Sequence, residues 1–212
     1  MTPTLPETDA ETRQRIVAAA RARFISTGFS TVTMDDIAHA LGMSKKTLYR
    51  HFSSKEELLR ETSRQNCAEC ETELAAISAA NPDFFARARA TFSFVSRLYA
   101  RLTPAYMTDL HRNAPEVWGE IQEFRRARVS RHMRGLLEQG VAQGVLRGDL
   151  DREVLVRLYL TMTSALLTPE ISGWAAGEGI DKVFDAFVRV YFEGLVTDRG
   201  RERLKSCAKG GQ

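Results

Sequence analysis

Apolar residues at helical spacing run through almost the whole chain. In the first such segment, which begins near residue 9 or 11 and ends at Thr27, Ile16, Ala20 and Phe24 recur every four residues. Further helices are predicted from Thr33, from Ser44, over 54–79 and 82–101, from Thr103, and over 115–143, 151–168 and 180–204. The pattern therefore predicts an all-α fold of about nine helices.

Two of the predicted helices are short and lie close together between residues 33 and 52. Thr33 is a suitable amino-terminal cap for the first, and Gly42 ends it, because glycine tolerates a left-handed backbone. Ser44 caps the second helix, whose Leu48 and Phe52 face the core at i and i+4. The segment therefore predicts a helix-turn-helix.

The remaining positions of the second short helix are polar and mostly basic. They are Lys45, Lys46, Thr47, Tyr49, Arg50 and His51. A short helix with such a surface, held at an angle to a capped partner, fits the major groove of DNA. The alternative is a helical hairpin in an ordinary bundle, with its charges solvated.

At this point the chain resembles the DNA-binding domain of the TetR family of transcriptional regulators. The resemblance covers residues 11–65, and Lys46 departs from it, because the family often has a small residue there. The matching residues are Ile16, Ala19, Ala20, Phe24, Gly28, Phe29, Thr33, Asp36, Ile37, Ala38, Gly42, Ser44, Lys45, Thr47, Leu48, Tyr49, His51, Phe52, Ser54, Lys55 and Glu56.

The resemblance implies roles for individual residues. Lys45, Lys46 and Thr47 would face base edges or nearby phosphates, while Thr33, Tyr49 and Lys55 would contact phosphate. His51 would reach phosphate or cap the helix end, and Arg50 is either a contact or solvated. The expected DNA-binding set is Thr33, Ser44, Lys45, Lys46, Thr47, Tyr49, Arg50, His51 and Lys55.

The same reasoning divides the chain into segments. We expect a flexible leader at 1–10, the DNA-binding domain at 11–56 with its helix-turn-helix at 33–52, a larger helical domain at 57–204, and a disordered tail at 205–212. The larger domain resembles the family only in its helical pattern and its length.

The aromatic middle of the chain is where the resemblance implies a pocket for a small effector. Polar candidates that could anchor a ligand are Asp109, His111, Arg112 or Glu120, although an aromatic stripe at helical spacing is more often core. The candidate pocket residues are Phe92, Tyr99, Tyr106, Asp109, His111, Trp118 and Phe124. We expect an unidentified effector and no cofactor.

Two helices near the end of the chain, at 151–168 and 180–197, have wide apolar surfaces. They could pair with the same helices of a second copy in a four-helix bundle, or they could be internal core. The resemblance favours a homodimer, with contacts expected at Leu155, Leu158, Tyr159, Met162, Phe187, Val190 and Tyr191.

Composition adds little to this picture. The net charge of +3 is too small to identify a nucleic-acid binder. No apolar run approaches the ~18 residues of a membrane span, and the amino end is unlike a signal peptide, so we expect a cytoplasmic protein. Cys67 and Cys70 lie at i and i+3 without a second pair, so no metal site is expected and a thiol switch is an alternative.

Three functions remain open at this stage. The first is a dimeric repressor that a small molecule releases from a palindromic operator in double-stranded DNA, and it is the one we expect. The second is a DNA-binding protein without a small-molecule effector, which is either architectural or controlled by a protein partner or by oxidation of Cys67 and Cys70. The third is a helical enzyme or carrier, which is disfavoured because no catalytic motif is recognisable.

Overall fold

The computed structural model describes residues 8–168 and 180–209, which are helical apart from short turns. The helices are α1 (Asp9–Thr27), α2 (Met34–Ala40), α3 (Lys45–His51), α4 (Lys55–Ala80), α5 (Phe84–Tyr99), α6 (Pro104–Asn113), α7 (Pro115–Phe124), α8 (Ser130–Ala142), α9 (Arg152–Leu166), α10 (Ile180–Glu193) and α11 (Asp198–Lys209). A π-helical segment, Arg125–Val129, joins α7 to α8. The all-α prediction is confirmed. Among the described helices, none is long and apolar enough to cross a membrane.

Local sequence explains where the first helices begin. Thr8 and Glu11 form a reciprocal capping box before α1, and Thr33 and Asp36 form another before α2. Gly28 ends α1 with a φ of 91°, a backbone region that side chains with a Cβ rarely adopt. These signals depend on neighbouring residues only, so the sequence reveals them.

The chain forms two compact units. The first contains Met1–Ala68 and Thr103–Ile121, and the second contains Glu69–Leu102 and Gln122–Gln212. This division differs from the predicted boundary at residue 56, because α6 packs with α1 in the first unit. Thr103, for example, donates its hydroxyl to the carbonyl of Ile25 over 2.8 Å. Contacts between residues so far apart along the chain are not visible in local periodicity.

Each unit has its own apolar core. The first buries residues from its first four helices, including Ile16, Phe24, Ile37, Leu48 and Phe52. The second packs α5 and α8 with α9 and α10, and its core residues include Phe84, Phe85, Met133, Leu136, Leu137, Val156 and Tyr159. The predicted inward positions of the helix-turn-helix are therefore buried.

The carboxyl end differs from the prediction of one helix over 180–204 and a disordered tail from 205. The structure has two helices, and α11 continues to Lys209. Val196 lies between these two helices and forms an isolated β-bridge with Leu146. The amide of the next residue, Thr197, donates to the carbonyl of Val145 over 3.0 Å. This pairing with a remote segment turns the chain, so it interrupts a helix that the local pattern would extend.

Candidate nucleic-acid interface

Thr33 caps the start of α2, which is the first helix of the helix-turn-helix. The Thr33 hydroxyl accepts from the amide of Asp36 and lies 2.7 Å from the Asp36 carboxylate, which also accepts from the Thr33 amide. Hydrogen bonds from the Thr33 hydroxyl and amide lower the pKa of Asp36. Thr33 is exposed, and its hydroxyl already has two protein partners.

The second helix, α3, has one buried side and one exposed side. Ser44 caps it by accepting from the amide of Thr47 over 3.1 Å. Leu48 is fully buried, whereas Lys45, Lys46 and Arg50 are exposed, and Tyr49 keeps 46% of its surface in solvent. Since the apolar side is covered and the polar side is open, α3 has the two-sided character that groove binding requires.

The exposed charges of α3 are weakly held. Lys45 lies 2.5 Å from an Asp35 oxygen, and Arg50 lies 3.8 Å from an Asp9 oxygen, but all four side chains are more than half exposed. Such surface pairs contribute about 0–1 kcal/mol, so a phosphate could replace the carboxylate. Lys46 has no ion pair to any described residue.

His51 does not lie on the exposed side, contrary to the prediction. Its side chain is buried, and Nδ1 is 3.7 Å from an Asp9 oxygen. Its backbone carbonyl accepts from Arg13 of α1 over 3.0 Å. One step along a helix turns a side chain by about 100°, so the residue after Arg50 faces inward toward α1.

Lys55 was expected to grip phosphate, and the structure gives its ammonium group several protein partners. Nζ lies 3.0 Å from the carbonyl of Phe29, 3.3 Å from that of Ser30 and 3.0 Å from that of Val32. It also lies 4.4 Å from the centre of the Phe29 ring. An ammonium group has three N–H donors, so a direct phosphate contact would displace one of these carbonyls.

Asp109 also holds the same turn through its carboxylate. The Asp109 carboxylate accepts from the Ser30 amide over 2.6 Å, from the Ser30 hydroxyl, and from the Asn113 amide group over 2.6 Å. Burial acts to raise the pKa of Asp109, but these hydrogen bonds outweigh burial and lower it. The Asp109 carboxylate therefore orders the Phe29–Val32 turn, a role that the sequence did not predict, and its role as an effector anchor stays a prediction.

The other candidate pocket residues are divided between the two units. In the first, Tyr106 is buried and the His111 ring lies 4.1 Å from that of Trp118. In the second, the Phe92 ring lies 5.0 Å from that of Phe192, Phe124 is half-buried, and Tyr99 accepts a hydrogen bond from Arg125 over 3.1 Å. Sequence reasoning missed Arg125, which is buried although most arginines are exposed.

The predicted dimer residues fall into two groups. Leu158, Met162 and Val190 are exposed, whereas Leu155, Phe187 and Tyr191 are half-buried and Tyr159 is only 2% exposed. Tyr159 packs against Phe92 and Phe187 inside the unit, so its side chain is a core residue here and the proposed interface does not use it. On α9 and α10 the exposed large apolar residues are Val154, Leu158, Met162, Val183 and Val190.

The thiol of Cys67 is poorly suited to a redox switch. Burial, and secondarily the negative charge of Glu120, raises the pKa of Cys67 to about 11. The thiolate is the reactive form, and it is scarce at neutral pH when the pKa is this high. The geometry therefore does not favour control by oxidation of this residue.

Comparison with known proteins agrees with this geometry. Residues 16–62 match the family described as "Bacterial regulatory proteins, tetR family". The transcriptional repressor KstR2 of Mycolicibacterium smegmatis is 25% identical over 167 residues, covering 77% of this chain and 81% of that protein. The regulator SrpR of Pseudomonas putida is 44% identical over 50 residues, which is 24% of each chain.

The fold is also similar to solved structures. A TetR-family transcriptional regulator from Agrobacterium tumefaciens superimposes with a TM-score of 0.71 at 20% identity, covering 90% of this chain and all of that one. Both sequence relatives are regulators of transcription, and the structural match extends beyond the helix-turn-helix to nearly the whole chain.

Proposed function

Because the chain belongs to the TetR family of transcriptional regulators, we propose that it is a dimeric repressor that binds a palindromic operator and is released by a small-molecule effector. Regulators of this family bind DNA and form dimers.

One observation carries the proposal: α3 is buried on its Leu48 side and leaves Lys45, Lys46 and Tyr49 exposed. Phosphate contacts supply affinity and register, whereas contacts to base edges supply sequence discrimination. We assign base reading to Lys45, Lys46 and Thr47 at the start of α3, and phosphate contact to Tyr49, with Thr33 and Arg50 beside it. Ser44 acts as the cap, and Lys55 acts mainly through the turn that it holds.

The test compares DNA affinities of variants on the best palindromic site and on random duplex DNA. Lys46→Ala is expected to cost about 1–3 kcal/mol on the best site and to relax base preference there. Tyr49→Phe is expected to weaken both duplexes equally, since it removes a phosphate contact. Lys182→Ala is the matched control, because it removes one exposed cation from α10 in the second unit.

The outcome depends on the comparison of the two lysines. If Lys46→Ala and Lys182→Ala change affinity equally, then α3 does not read bases. Binding of the whole protein to random DNA as tightly as to any palindrome would also contradict the proposal, because it would indicate sequence-independent coating.

The proposed dimer surface is an apolar ridge on α9, with further apolar residues on α10. Val154, Leu158 and Met162 are spaced four residues apart on α9, and Val183 and Val190 are exposed on α10. Apolar residues at this spacing on two adjacent helices suit a four-helix bundle with a second copy. A two-fold axis would then present two α3 helices to half-sites about 34–36 Å apart.

Analytical ultracentrifugation at micromolar concentration tests this surface. Leu158→Glu is expected to give a monomer, since it places a charge within the buried bundle. Leu204→Glu is the matched control, because Leu204 is 48% exposed on α11 and Leu158 is 51% exposed. A wild-type monomer, or a Leu158→Glu dimer, would refute this assignment.

A further inference from the structure

The second unit contains a buried arginine with no acidic partner among the described residues. Arg125 is 8% exposed and begins the π-helical segment. Its Nη1 donates to the Tyr99 hydroxyl over 3.1 Å, and its Nη2 donates to the Thr163 hydroxyl over 2.6 Å. Its Nε has no hydrogen-bond partner. Both of its side-chain partners are therefore neutral.

This arrangement is costly unless the charge is compensated. Arginine remains protonated in proteins, and a buried charge normally requires an opposite charge together with hydrogen bonds. Three other arginines of the π-helix and α8 pair with an acid: Arg126 lies 2.8 Å from Glu123, Arg128 lies 3.3 Å from Glu71, and Arg134 lies 2.5 Å from Glu153. Arg125 alone of these four lacks a carboxylate partner within the part of the chain that is described.

Arg125 also lines a groove of the second unit. The groove has a volume of about 740 Å³ and runs between the segment from α7 to α8 on one side and α9 on the other. Val156 and Leu160 contribute apolar walls, and Gln122 and Ser164 contribute polar groups near the start of the π-helix. Pockets for small molecules have volumes of about 300–1,000 Å³ and combine apolar walls with a few polar groups.

The position of Arg125 makes it suitable for a ligand-dependent role. Tyr99 lies on α5 and Thr163 on α9, so one guanidinium joins three helical segments of the unit. π-helical segments inside longer helices occur frequently at functional sites. A ligand that neutralises the Arg125 charge would therefore stabilise the contacts among these three segments.

We propose that the groove binds a small organic carboxylate with an apolar body, and that Arg125 provides the counter-charge. This inference rests on the proposed function, because the carboxylate would be its effector. Arg157 also lines the groove but is exposed, so Arg125 is its one buried cation without a described acid. A single carboxylate matches that one buried charge, whereas a dianionic phosphate would exceed it. Guanidinium groups pair well with carboxylates through parallel hydrogen bonds. The apolar chain of the ligand would lie along Val156 and Leu160.

The first experiment uses the unmodified full-length protein without DNA. Binding of octanoate, octanamide and octyl phosphate is measured by calorimetry and by thermal shift. These probes share one apolar body and differ in the charge of the head group. We expect saturable octanoate binding at least about tenfold tighter than octanamide binding, since the neutral amide has neither the negative charge nor the second acceptor oxygen that pairs with a guanidinium. Equal affinity for octanoate and octanamide, absence of octanoate binding, or tighter octyl phosphate binding would overturn the proposal.

The second experiment uses matched variants. Arg125→Met is expected to weaken octanoate binding at least about tenfold while leaving the melting temperature unchanged or higher, because apolar replacement of a buried charge is often neutral or stabilising. Arg134→Met, which removes a groove arginine already paired with Glu153, is expected to keep octanoate affinity. If Arg125→Met binds octanoate as the unmodified protein does, the proposal fails.

A third variant keeps the test decisive if Arg125→Met does not fold. Gln122→Glu adds a carboxylate three residues before Arg125, on the same helical face. It is expected to raise the melting temperature and to weaken octanoate binding, because the chain then supplies its own counter-ion. A lower melting temperature with unchanged octanoate affinity would contradict the proposal.

Two further outcomes separate this inference from its alternatives. Glu170 and Glu178 lie outside the described residues. If Glu170→Gln or Glu178→Gln lowers the melting temperature, and does so only while Arg125 is present, the chain already supplies a counter-ion and the proposal is overturned. Octanoate binding without release of DNA would support the carboxylate site and refute effector release, so the two proposals can fail separately.

Discussion

The turn before the helix-turn-helix, Phe29–Val32, depends on the ammonium group of Lys55. Lys55→Met removes that group and keeps an unbranched apolar stem beside the Phe29 ring. Three backbone carbonyls then lose their N–H donor. Because the turn leads directly into the Thr33 cap of α2, we expect this substitution to loosen the entrance of the helix-turn-helix.

The magnitude follows from the number of contacts and their exposure. A hydrogen bond involving a charged group contributes about 1.5–3 kcal/mol, and a cation over an aromatic ring adds about 0.5–1 kcal/mol at an exposed site. Lys55 is half-buried, so water replaces part of what is lost. We therefore expect a net destabilisation of the first unit of about 2–3 kcal/mol.

Hydrogen exchange measured by mass spectrometry on peptides covering 29–37 reports this region directly. A loss of 2–3 kcal/mol corresponds to roughly 30- to 150-fold faster exchange through opening. The amide of Ser30, which donates to Asp109 over 2.6 Å, is among those expected to lose protection. Lys46→Ala is the control, because this exposed lysine has no described ion pair, and its effect should stay within about 0.5 kcal/mol.

The same variant separates a structural role from phosphate binding. If Lys55 also contacts phosphate, the slope of log K against log salt flattens by about 0.9 when it is lost. We expect weaker DNA binding with an unchanged slope. Exchange as slow as in the unmodified protein, together with a flattened slope, would refute the role of Lys55 in holding the turn.

Three further predictions concern other residues with unusual environments. Gly28→Ala is expected to destabilise the first unit by at least about 2 kcal/mol in urea unfolding, because φ is positive and a Cβ would lie 2.8 Å from an Asp109 oxygen. Gly42→Ala is the control: its φ is also positive but the space around it is open, so it should cost about half as much. Because the pKa of Asp109 is lowered in the folded protein, its carboxylate stabilises the fold at neutral pH, and this stabilisation is lost as pH falls below about 4. Asp109→Asn should therefore be less stable at pH 7 and should lose less stability between neutral and acidic pH. Burial, with the nearby charge of Arg87, lowers the pKa of His132 to about 4. Its unfolded form binds a proton below about 6.5, so stability of the second unit should fall between pH 6.5 and 4, and His132→Gln should remove that decline in thermal melts.

The sequence was most informative where a structural decision is local. Thr33, Gly42 and Ser44 signal caps and a turn through their own backbone and side-chain chemistry, and the helix-turn-helix lies where these residues predict it. Apolar periodicity identified Leu48 and Phe52 as buried. Caps and periodicity act over one or two turns, so a single segment contains all the information that they require.

The sequence was least informative where remote residues decide the partners of a side chain. Asp109 was expected to anchor a ligand, but Ser30, which lies 79 residues earlier, holds its carboxylate. Tyr159 was expected at an interface, but Phe92 and Phe187 enclose it. In both cases the residue type allows either role, and only the tertiary neighbours decide between them.

By itself, the sequence determined the helical class, the helix-turn-helix and the polar side of α3, because each depends on contacts between residues close in the chain. Only the tertiary structure decided that Lys55 and Asp109 hydrogen-bond to the Phe29–Val32 turn. Only the tertiary structure decided that Arg125 is buried with no acidic partner among the described residues. Burial and the pairing of charges depend on what the rest of the chain brings near a residue. No local pattern records those neighbours, so they could be recognised only after the helices were packed.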